Sequence, residues 1–547
     1  MDTVDQISER YITAMAALDP LSATSWGVPG HEDKLTDFSP AGLAARADLQ
    51  RRTLAELDEV DQGDDLDRVA VEVMAERLGS ALDQYETGEL ARPLRVLFSP
   101  LAQVRSTFDL MRFETAADWE VGRTRMAAVP AALAGIQELL QDGLDRDHVV
   151  ARRQALACAL QCDAWGHGDD GFWVTLGRRS PSESLAAEAA AAADAYRRLG
   201  QWLRESYAPR ATPHDPVGRD RYQAWARAMN GTDLDLDETY AWGWAELRRV
   251  EDRMLEVAGR ILPGATLEEV IAHVEADPSY AIDGVEEFQR WNQDLIDSTI
   301  AAMDGVHFEI AEPLRRCEAM IAPPGGAAAM YYTGPSEDFS RPGRTWYPTL
   351  GKTRFPLWRE VSICYHEGVP GHHLQIAQVR YLADTLTRFQ RLASGTSGHA
   401  EGWALYAERL MQELGFLDDP VFELGQLTCQ AMRSVRVIVD IGMHLELPIP
   451  DDEPYHPGET WTPELALPFV IERSRFPSDF MASEVDRYLG MPGQAISYKV
   501  GERVWLDSRE AARQRLGAAF DLKEFHRAAL DLGGMGLDQL ASELGRL

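Results

Sequence analysis

The chain has 547 residues, of which 45% are hydrophobic, enough for a large core and for two or more folding units. Its 88 acidic and 54 basic side chains give a formal net charge of −34, which argues against binding to nucleic acid or to anionic membranes, because both carry negative charge. Five cysteines without a C-x-x-C pair argue against a disulfide framework and favour a reducing compartment.

The first residues and the hydropathy of the chain predict a cytoplasmic protein that does not enter the membrane. The start, Met1–Asp5, is acidic and polar and lacks the basic and apolar stretches of a leader peptide. No apolar run reaches the ~18 residues that a membrane-spanning helix needs.

Residues 1–300 are predicted to be mostly helical. Good helix formers (Ala, Leu, Glu and Arg) dominate several segments, and apolar residues recur there at steps of three and four. Proline- and glycine-containing stretches separate the helices, as in 29–40 and 208–220. The clearest helical segments are 43–60, 66–88, 182–206 and 236–262.

The pattern changes between residues 305 and 352. Short apolar or alternating runs such as "HFEIAE", "CEAMIA", "AAAMYYTG" and "RTWYPTL" are separated by Pro-Gly turns, which predicts a small antiparallel sheet. The GKT at 351–353 is not a phosphate-binding loop, because Trp346 occupies the position where that loop needs glycine. After residue 355 helices return, at roughly 355–388, 398–414, 420–446, 463–474, 493–518 and 522–545.

The stretch "YHEGVPGHHLQ" (365–375) contains three of the 13 histidines. In a continuous helix, His366 could not share a metal ion with a histidine six or seven residues later, because zinc-protease motifs place their histidines four residues apart. Pro370 and its flanking glycines break the helix, however. A bulge between Gly368 and Gly371 could therefore present His366 and His372 to one point, with Glu367 beside them.

A third ligand is expected on the next helix, because hydrolytic zinc sites hold the ion with three protein side chains. Glu401 and Glu408 lie on one face of the segment 394–410, which also carries aliphatic residues. Glu401 is the candidate ligand. Glu408 could instead accept a hydrogen bond from a ligand histidine.

Four polar residues form a stripe along the apolar helix 430–444. They recur at steps of three and four, so they share an arc of about 80°. Buried charges need partners, so the stripe predicts an internal ion-pair network, the lining of an active-site channel, or both. The four residues are Arg433, Arg436, Asp440 and His444.

Tyr498 is predicted on a helix that follows Pro492-Gly493. Hydrolysis at a carbonyl needs a hydrogen-bond donor aimed at the developing oxyanion, and a tyrosine can supply one. A tyrosine of the core is the alternative interpretation.

The segments "HEGVPGHHLQ", "EGWALYAE", "RVIVDIGMH" and "GQAISYKVG", in this order, resemble the bacterial family called domain of unknown function 885. That family is grouped with zinc metallopeptidases of the gluzincin type. The resemblance implies a mainly helical, bilobal body with a central channel, similar to neurolysin. Residues 1–300 would then form one wall of the channel, and residues 301–547 would form the catalytic region with the small sheet and the metal-site helices.

The same resemblance implies one zinc ion held by His366, His372 and Glu401, with Glu367 as general base. A Gly-His pair ends the motif in the relatives, which favours His372 over His373. Tyr498 matches, more loosely, a tyrosine that stabilises the transition state. The expected activity is hydrolysis of short peptides. Further donors or substrate contacts would come from His373, Glu408, Arg433, Arg436, Asp440, His444, Tyr331 and Tyr332, where an arginine could hold a terminal carboxylate.

Two alternatives to zinc-dependent hydrolysis stay open from the sequence. Two histidines and a carboxylate are also the ligand set of non-haem iron oxygenases. The stretched motif could instead belong to a catalytically silent scaffold that binds peptides. The expected partner is a peptide, with no nucleic acid and no membrane, and the oligomeric state stays open.

Overall fold

The computed structural model describes residues 2–60, 63–180, 185–322 and 329–547. As predicted, the protein is mainly helical. The chain forms two compact units. The first comprises the described residues up to Asp215 with Thr387–Phe389 and Leu489–Met491, and the second comprises Pro216–Leu386, Gln390–Tyr488 and Pro492–Leu547.

The helices before residue 216 are α1 (Val4–Leu18), α2 (Pro20–Trp26), α3 (Pro40–Leu57), α4 (Asp65–Glu86), α5 (Pro100–Ser106), α6 (Ala116–Ala127), α7 (Val129–Asp145), α8 (Arg152–Gly166), α9 (Phe172–Arg178) and α10 (Ala186–Trp202). Helix α10 packs against α6, α7, α8 and α9. Its small buried alanines permit this close packing, since a Cβ on Gly177 would lie 2.9 Å from the Cβ of Ala189. The first residues of the predicted helix 182–206, up to 184, lie outside the described residues.

The helices from residue 216 onward are α11 (Arg219–Asn230), α12 (Leu236–Ile261), α13 (Leu267–Ala276), α14 (Val285–Met303), α15 (Leu357–Glu367), α16 (His372–Tyr381), α17 (Arg388–Leu392), α18 (Ser397–Glu413), α19 (Pro420–Leu445), α20 (Pro463–Ser474), α21 (Ser478–Gly490), α22 (Ser497–Leu516), α23 (Leu522–Asp531) and α24 (Leu537–Leu544). Nearly every residue of α19 is buried. An all-round buried helix of this kind forms the centre of a core.

The helices between residues 216 and 303 group with the second unit, which differs from the predicted division at residue 300. The reason is the packing of α12 along α19. Arg253 on α12 donates to Glu423 on α19 at 2.9 Å, and a Cβ on Gly243 would lie 2.8 Å from Val437. Such close packing cannot be read from helix propensity.

Among the described residues, five short strands precede α15 in the chain. Strand β1 (Ala281–Asp283) pairs antiparallel with β5 (Arg354–Pro356). Strand β3 (Tyr331–Thr333) pairs antiparallel with β4 (Gly343–Tyr347), and β2 (Cys317–Ile321) pairs parallel with β4 on its other side. The predicted small antiparallel sheet before the metal-site helix is thus confirmed, with one parallel pair added. Of the predicted runs, "HFEIAE" contains no strand, and the first two residues of "AAAMYYTG" lie outside the described residues.

Among the described residues, no helix combines the length and the apolar character that crossing a bilayer requires.

Candidate metal centre

Helix α15 ends at Glu367, and α16 begins only at His372. The link between them is closed by a hydrogen bond from the Gly371 N–H to the Tyr365 carbonyl at 3.0 Å. A Cβ at Gly371 would lie 2.0 Å from the His366 carbonyl oxygen, so only glycine fits there. The predicted bulge between Gly368 and Gly371 is therefore confirmed, and it absorbs the extra residues of the motif.

The bulge brings His366, His372 and Glu401 together. Ligand atoms of the three side chains all lie within 4.8 Å of one another. The Glu401 Oε2 atom is 3.4 Å from His366 Nε2 and 3.3 Å from His372 Nε2. Zinc bonded at about 2.0–2.1 Å in a tetrahedron separates its donor atoms by about 3.3–3.4 Å. The donor types and the two separations from Glu401 therefore fit one zinc ion, whereas the third separation, up to 4.8 Å between the two histidine nitrogens, exceeds the tetrahedral value.

His373 lies outside this cluster. Its Nε2 is 2.8 Å from the Leu314 carbonyl oxygen, which requires an N–H on that nitrogen. Its Nδ1 then accepts from the Tyr332 hydroxyl at 2.9 Å. Burial lowers the pKa of His373 to about 4, so the ring is neutral. Tyr332 is thereby committed to His373 rather than directed at the three ligands, and the ring of Tyr331 stacks on Trp346 with centroids 5.8 Å apart.

Glu408 accepts a hydrogen bond from His366, as the sequence predicted. Its Oε1 is 2.8 Å from His366 Nδ1, so Nδ1 carries a proton and Nε2 is the nitrogen that faces the cluster. Ser362 donates to the other Glu408 oxygen at 2.6 Å, and Arg433 Nη2 lies 3.5 Å from Oε1. All four side chains are buried, which fixes the imidazole in one orientation.

The charges of the cluster favour a cation. Burial opposes protonation of His366, but hydrogen bonds to Glu401 and Glu408 raise its pKa to about 9. Burial alone would raise the pKa of the Glu401 carboxyl, whereas its bonds to His366 and His372 hold that pKa well below the usual range. The negative potential that stabilises a proton here stabilises a metal cation in the same way.

Glu367 is the last residue of α15 and adjoins His366. It is buried, and among the described residues its Oε2 atom has no hydrogen-bond partner. Burial raises the pKa of its carboxyl, against the opposing effect of His372 and His366. Glu367 is thus a carboxyl group with one oxygen uncommitted beside the three candidate ligands.

Two contacts of α18 that the sequence did not reveal hold the cluster in place. The indole N–H of Trp403 donates to the carbonyl oxygens of Pro370 and Gly371, at 2.8 and 3.3 Å. Gly402 faces Gly501 of α22 so closely that a Cβ on Gly402 would lie 2.4 Å from the Gly501 Cα. The Gly402-Trp403 pair that directly follows Glu401 is the sequence feature from which these two contacts could have been predicted.

The close approach of α22 brings Tyr498 beside His366. Their rings stack with centroids 6.1 Å apart and an interplanar angle of 20°. The guanidinium carbons of Arg436 and Arg433 lie 4.5 and 5.7 Å from the centre of the Tyr498 ring. Burial raises the pKa of the Tyr498 phenol, and the nearby charge of Glu401 raises it further, so this hydroxyl keeps its proton as a hydrogen-bond donor.

The polar stripe of α19 forms an internal network, as one of the predicted interpretations has it. Arg433 pairs with Glu408, and Arg436 donates to Glu484 at 2.6 Å. Asp440 accepts from the Tyr222 hydroxyl at 2.7 Å and from the Gly493 N–H at 3.0 Å. His444 Nε2 donates to the Tyr488 carbonyl oxygen at 3.1 Å. Asp440 and His444 are fully buried and contribute to packing, not to the cluster of ligands.

A family described as "Bacterial protein of unknown function (DUF885)" matches residues 20–544. No curated protein matches. A candidate lipoprotein from Colwellia psychrerythraea has a similar structure, with a TM-score of 0.85 and 21% identity over 100% of this chain and 99% of that chain. A candidate lipoprotein of unknown function from Shewanella oneidensis has a TM-score of 0.73 and 16% identity over 100% of both chains. At these identities the likeness shows the fold alone.

Proposed function

The chain belongs to the DUF885 family of bacterial proteins of unknown function, and we propose that it is a zinc-dependent peptidase that hydrolyses short peptides. The observation that carries the proposal is the convergence of His366, His372 and Glu401, with the uncommitted carboxyl oxygen of Glu367 and the ring of Tyr498 beside them. Kinship with gluzincin metallopeptidases, and the channelled, two-lobed body like that of neurolysin which it implies, are parts of this proposal.

In this proposal His366, His372 and Glu401 hold the ion. When bound there, zinc supplies Lewis acidity that polarises a carbonyl and lowers the pKa of water toward 7. Glu367 takes a proton from the attacking water and returns it to the leaving amine nitrogen. The Tyr498 hydroxyl donates to the oxyanion that develops from the peptide carbonyl. The carboxylate of Glu408 keeps the His366 proton on Nδ1 throughout.

The contacts of Arg433 and Arg436 bear on which peptides the protein would cleave. An arginine that held a peptide's terminal carboxylate would give carboxypeptidase action, and Arg433 and Arg436 were the candidates. Both are nine-tenths buried and paired with internal carboxylates. We therefore favour oligopeptidase action on short, unfolded peptides, which does not need a free terminal carboxylate.

Metal analysis and peptide digestion together test the function. The purified protein should contain about one zinc per chain and should cleave components of a synthetic peptide mixture, detected by mass spectrometry. Replacing Glu367 by Gln should abolish cleavage while the zinc content stays the same, because Glu367 is a proton carrier and not a ligand. Asp440→Asn is the matched control, since this equally buried acid lies outside the cluster.

Each alternative has its own signature in the same experiment. Iron in place of zinc, with oxygen-dependent products, would favour the oxygenase interpretation. Peptides that bind without being cleaved, by a protein without metal, would favour a silent scaffold. Cleavage that survives both a chelator and the Glu367→Gln change would refute the mechanism.

Cytoplasmic location stays part of the proposal. The two similar structures are described as candidate lipoproteins, which favours attachment to a membrane as the competing location. Fractionation of the native bacterium separates the two, because a lipoprotein sediments with membranes and a cytoplasmic protein stays in the supernatant.

A further inference from the structure

The two candidate histidine ligands differ in what holds their second ring nitrogen. For His366 that nitrogen is Nδ1, which donates to Glu408 at 2.8 Å. For His372 it is also Nδ1, because its Nε2 faces Glu401 at 3.3 Å. Yet His372 Nδ1 is buried and has no hydrogen-bond partner among the described residues. A metal-bound histidine almost always donates this second N–H, which fixes its tautomer and its ring orientation.

Gln375, one turn further along α16, carries a buried acceptor without a donor. It is 3% exposed, and its Oε1 has no hydrogen-bond partner within the described part of the chain. Its Nε2 is engaged, because it donates to the carbonyl oxygen and to the Nδ1 of His399, both at 3.4 Å. The carbonyl oxygen of His399 can only accept, so the amide nitrogen must face it and Oε1 must point elsewhere.

His372 and Gln375 project from the same face of α16. The helix meets α18 in antiparallel order: Pro370 contacts Trp403, His372 contacts Glu401, and Gln375 contacts His399. Residues three apart on a helix have Cβ atoms about 5–6 Å apart. One water molecule can bridge two polar atoms across such a gap. The unpaired N–H of His372 and the unpaired side-chain oxygen of Gln375 therefore lie on the same helix face, one a donor and the other an acceptor.

His399 holds the side-chain amide of Gln375 in place. Both the ring Nδ1 and the backbone carbonyl oxygen of His399 lie 3.4 Å from Gln375 Nε2, so the amide N–H₂ can donate to the two atoms at once. The ring stacks on Trp505 with centroids 6.0 Å apart at 28°, and the Thr396 hydroxyl accepts the His399 backbone N–H at 3.2 Å. The clamp on Gln375 is thus itself fixed by the first turn of α18.

We infer that Gln375, clamped by His399, is the positioning residue of His372. One ordered water accepts the His372 Nδ1–H and donates to Gln375 Oε1. This link fixes the tautomer and the ring orientation of His372, as Glu408 fixes those of His366. The inference deepens the proposed function and rests on its metal site. It also makes the site asymmetric, since a carboxylate supports His366 and a neutral amide supports His372.

Zinc affinity tests the inference without any use of peptidase activity. The metal-free protein is titrated with zinc against a chromophoric chelator. Gln375→Met keeps the side-chain volume and removes the acceptor, so we expect zinc to bind about 10–100-fold more weakly. Gln375→Glu has the same shape, and burial favours its protonated form, whose O–H replaces the amide donor to the His399 carbonyl oxygen while the other oxygen remains an acceptor. We therefore expect its zinc affinity to stay within about threefold of the wild type. Gln378→Met on the same helix is the matched control, since Gln378 donates to Asp531 at 2.8 Å and points away from His372.

Two results would overturn the inference. Unchanged zinc affinity in Gln375→Met would show that His372 needs no support from this residue. Equal weakening by Met and Glu would show that Gln375 acts by packing alone. A crystal structure of the zinc-loaded wild type tests the same point without a variant, and should show one water within about 3.2 Å of both His372 Nδ1 and Gln375 Oε1. If the wild type binds zinc as described but cleaves no peptide, the inference stands and the proposed function falls.

Discussion

Replacing Gly402 by Ala should both destabilise the protein and separate the two halves of the candidate site. A Cβ on Gly402 would lie 2.4 Å from the Gly501 Cα, whereas ordinary contact begins at 3.4 Å, so α18 and α22 must move apart by about 1 Å. The atom it meets is backbone and cannot turn aside. Overpacking of this kind costs about 1–3 kcal/mol, and the better helix propensity of alanine offsets less than about 1 kcal/mol. We expect a net loss of about 2 kcal/mol.

Function should suffer more than stability does. Glu401 directly precedes Gly402, and Tyr498 lies three residues before Gly501, so the shift separates a ligand from the proposed oxyanion donor. A misplacement of about 1 Å can cost about 100-fold in kcat. Urea unfolding and peptidase assays measure the two effects. Gly259→Ala is the control: this exposed glycine of α12 has nothing within 4 Å of a new Cβ, so alanine should add about 0.5–1 kcal/mol. If Gly402→Ala proves as stable and as active as Gly259→Ala, the reasoning is wrong.

Three further predictions concern the metal and pH. Glu408→Gln should weaken zinc binding about 10–100-fold, because the carboxylate that fixes His366 is lost; unchanged affinity in a chelator competition would contradict this. Zinc at about 100 times its Kd should add about 2.7 kcal/mol to the free energy of unfolding of the wild type but not of His372→Phe, as thermal unfolding would show. Burial lowers the pKa of His526 to about 3. Between pH 6.5 and 3, His526 is therefore protonated in the unfolded chain but neutral in the folded chain. This group should therefore lower the free energy of unfolding by about 1.4 kcal/mol per pH unit as pH drops from 6.5 toward 3. The variant His526→Gln keeps an acceptor for the Tyr406 hydroxyl and should remove that part of the decline. Urea titrations at each pH measure it.

Sequence patterns predicted those features that depend only on residues close together in the chain. Pro370 between two glycines has to break a helix, because proline lacks the N–H and glycine tolerates the crowded turn, and the structure has the break there. The spacing of Glu401 and Glu408 places both on one helix face, and Glu408 does contact His366. The polar stripe on α19 had two interpretations, and only the positions of Glu484, Tyr222 and Gly493 resolve it in favour of an internal network.

The sequence by itself determined the helical class, the break in the motif and the residue types that could bind a metal, because helix propensity, proline geometry and ligand chemistry act within a few residues. Only the tertiary structure decided that His372 and not His373 faces Glu401, that Tyr332 is committed to His373, and that Gly402 and Gly501 set the distance between Glu401 and Tyr498. These outcomes depend on contacts between segments more than 20 residues apart in the chain, where the direction of a side chain is set by the neighbours that pack against it.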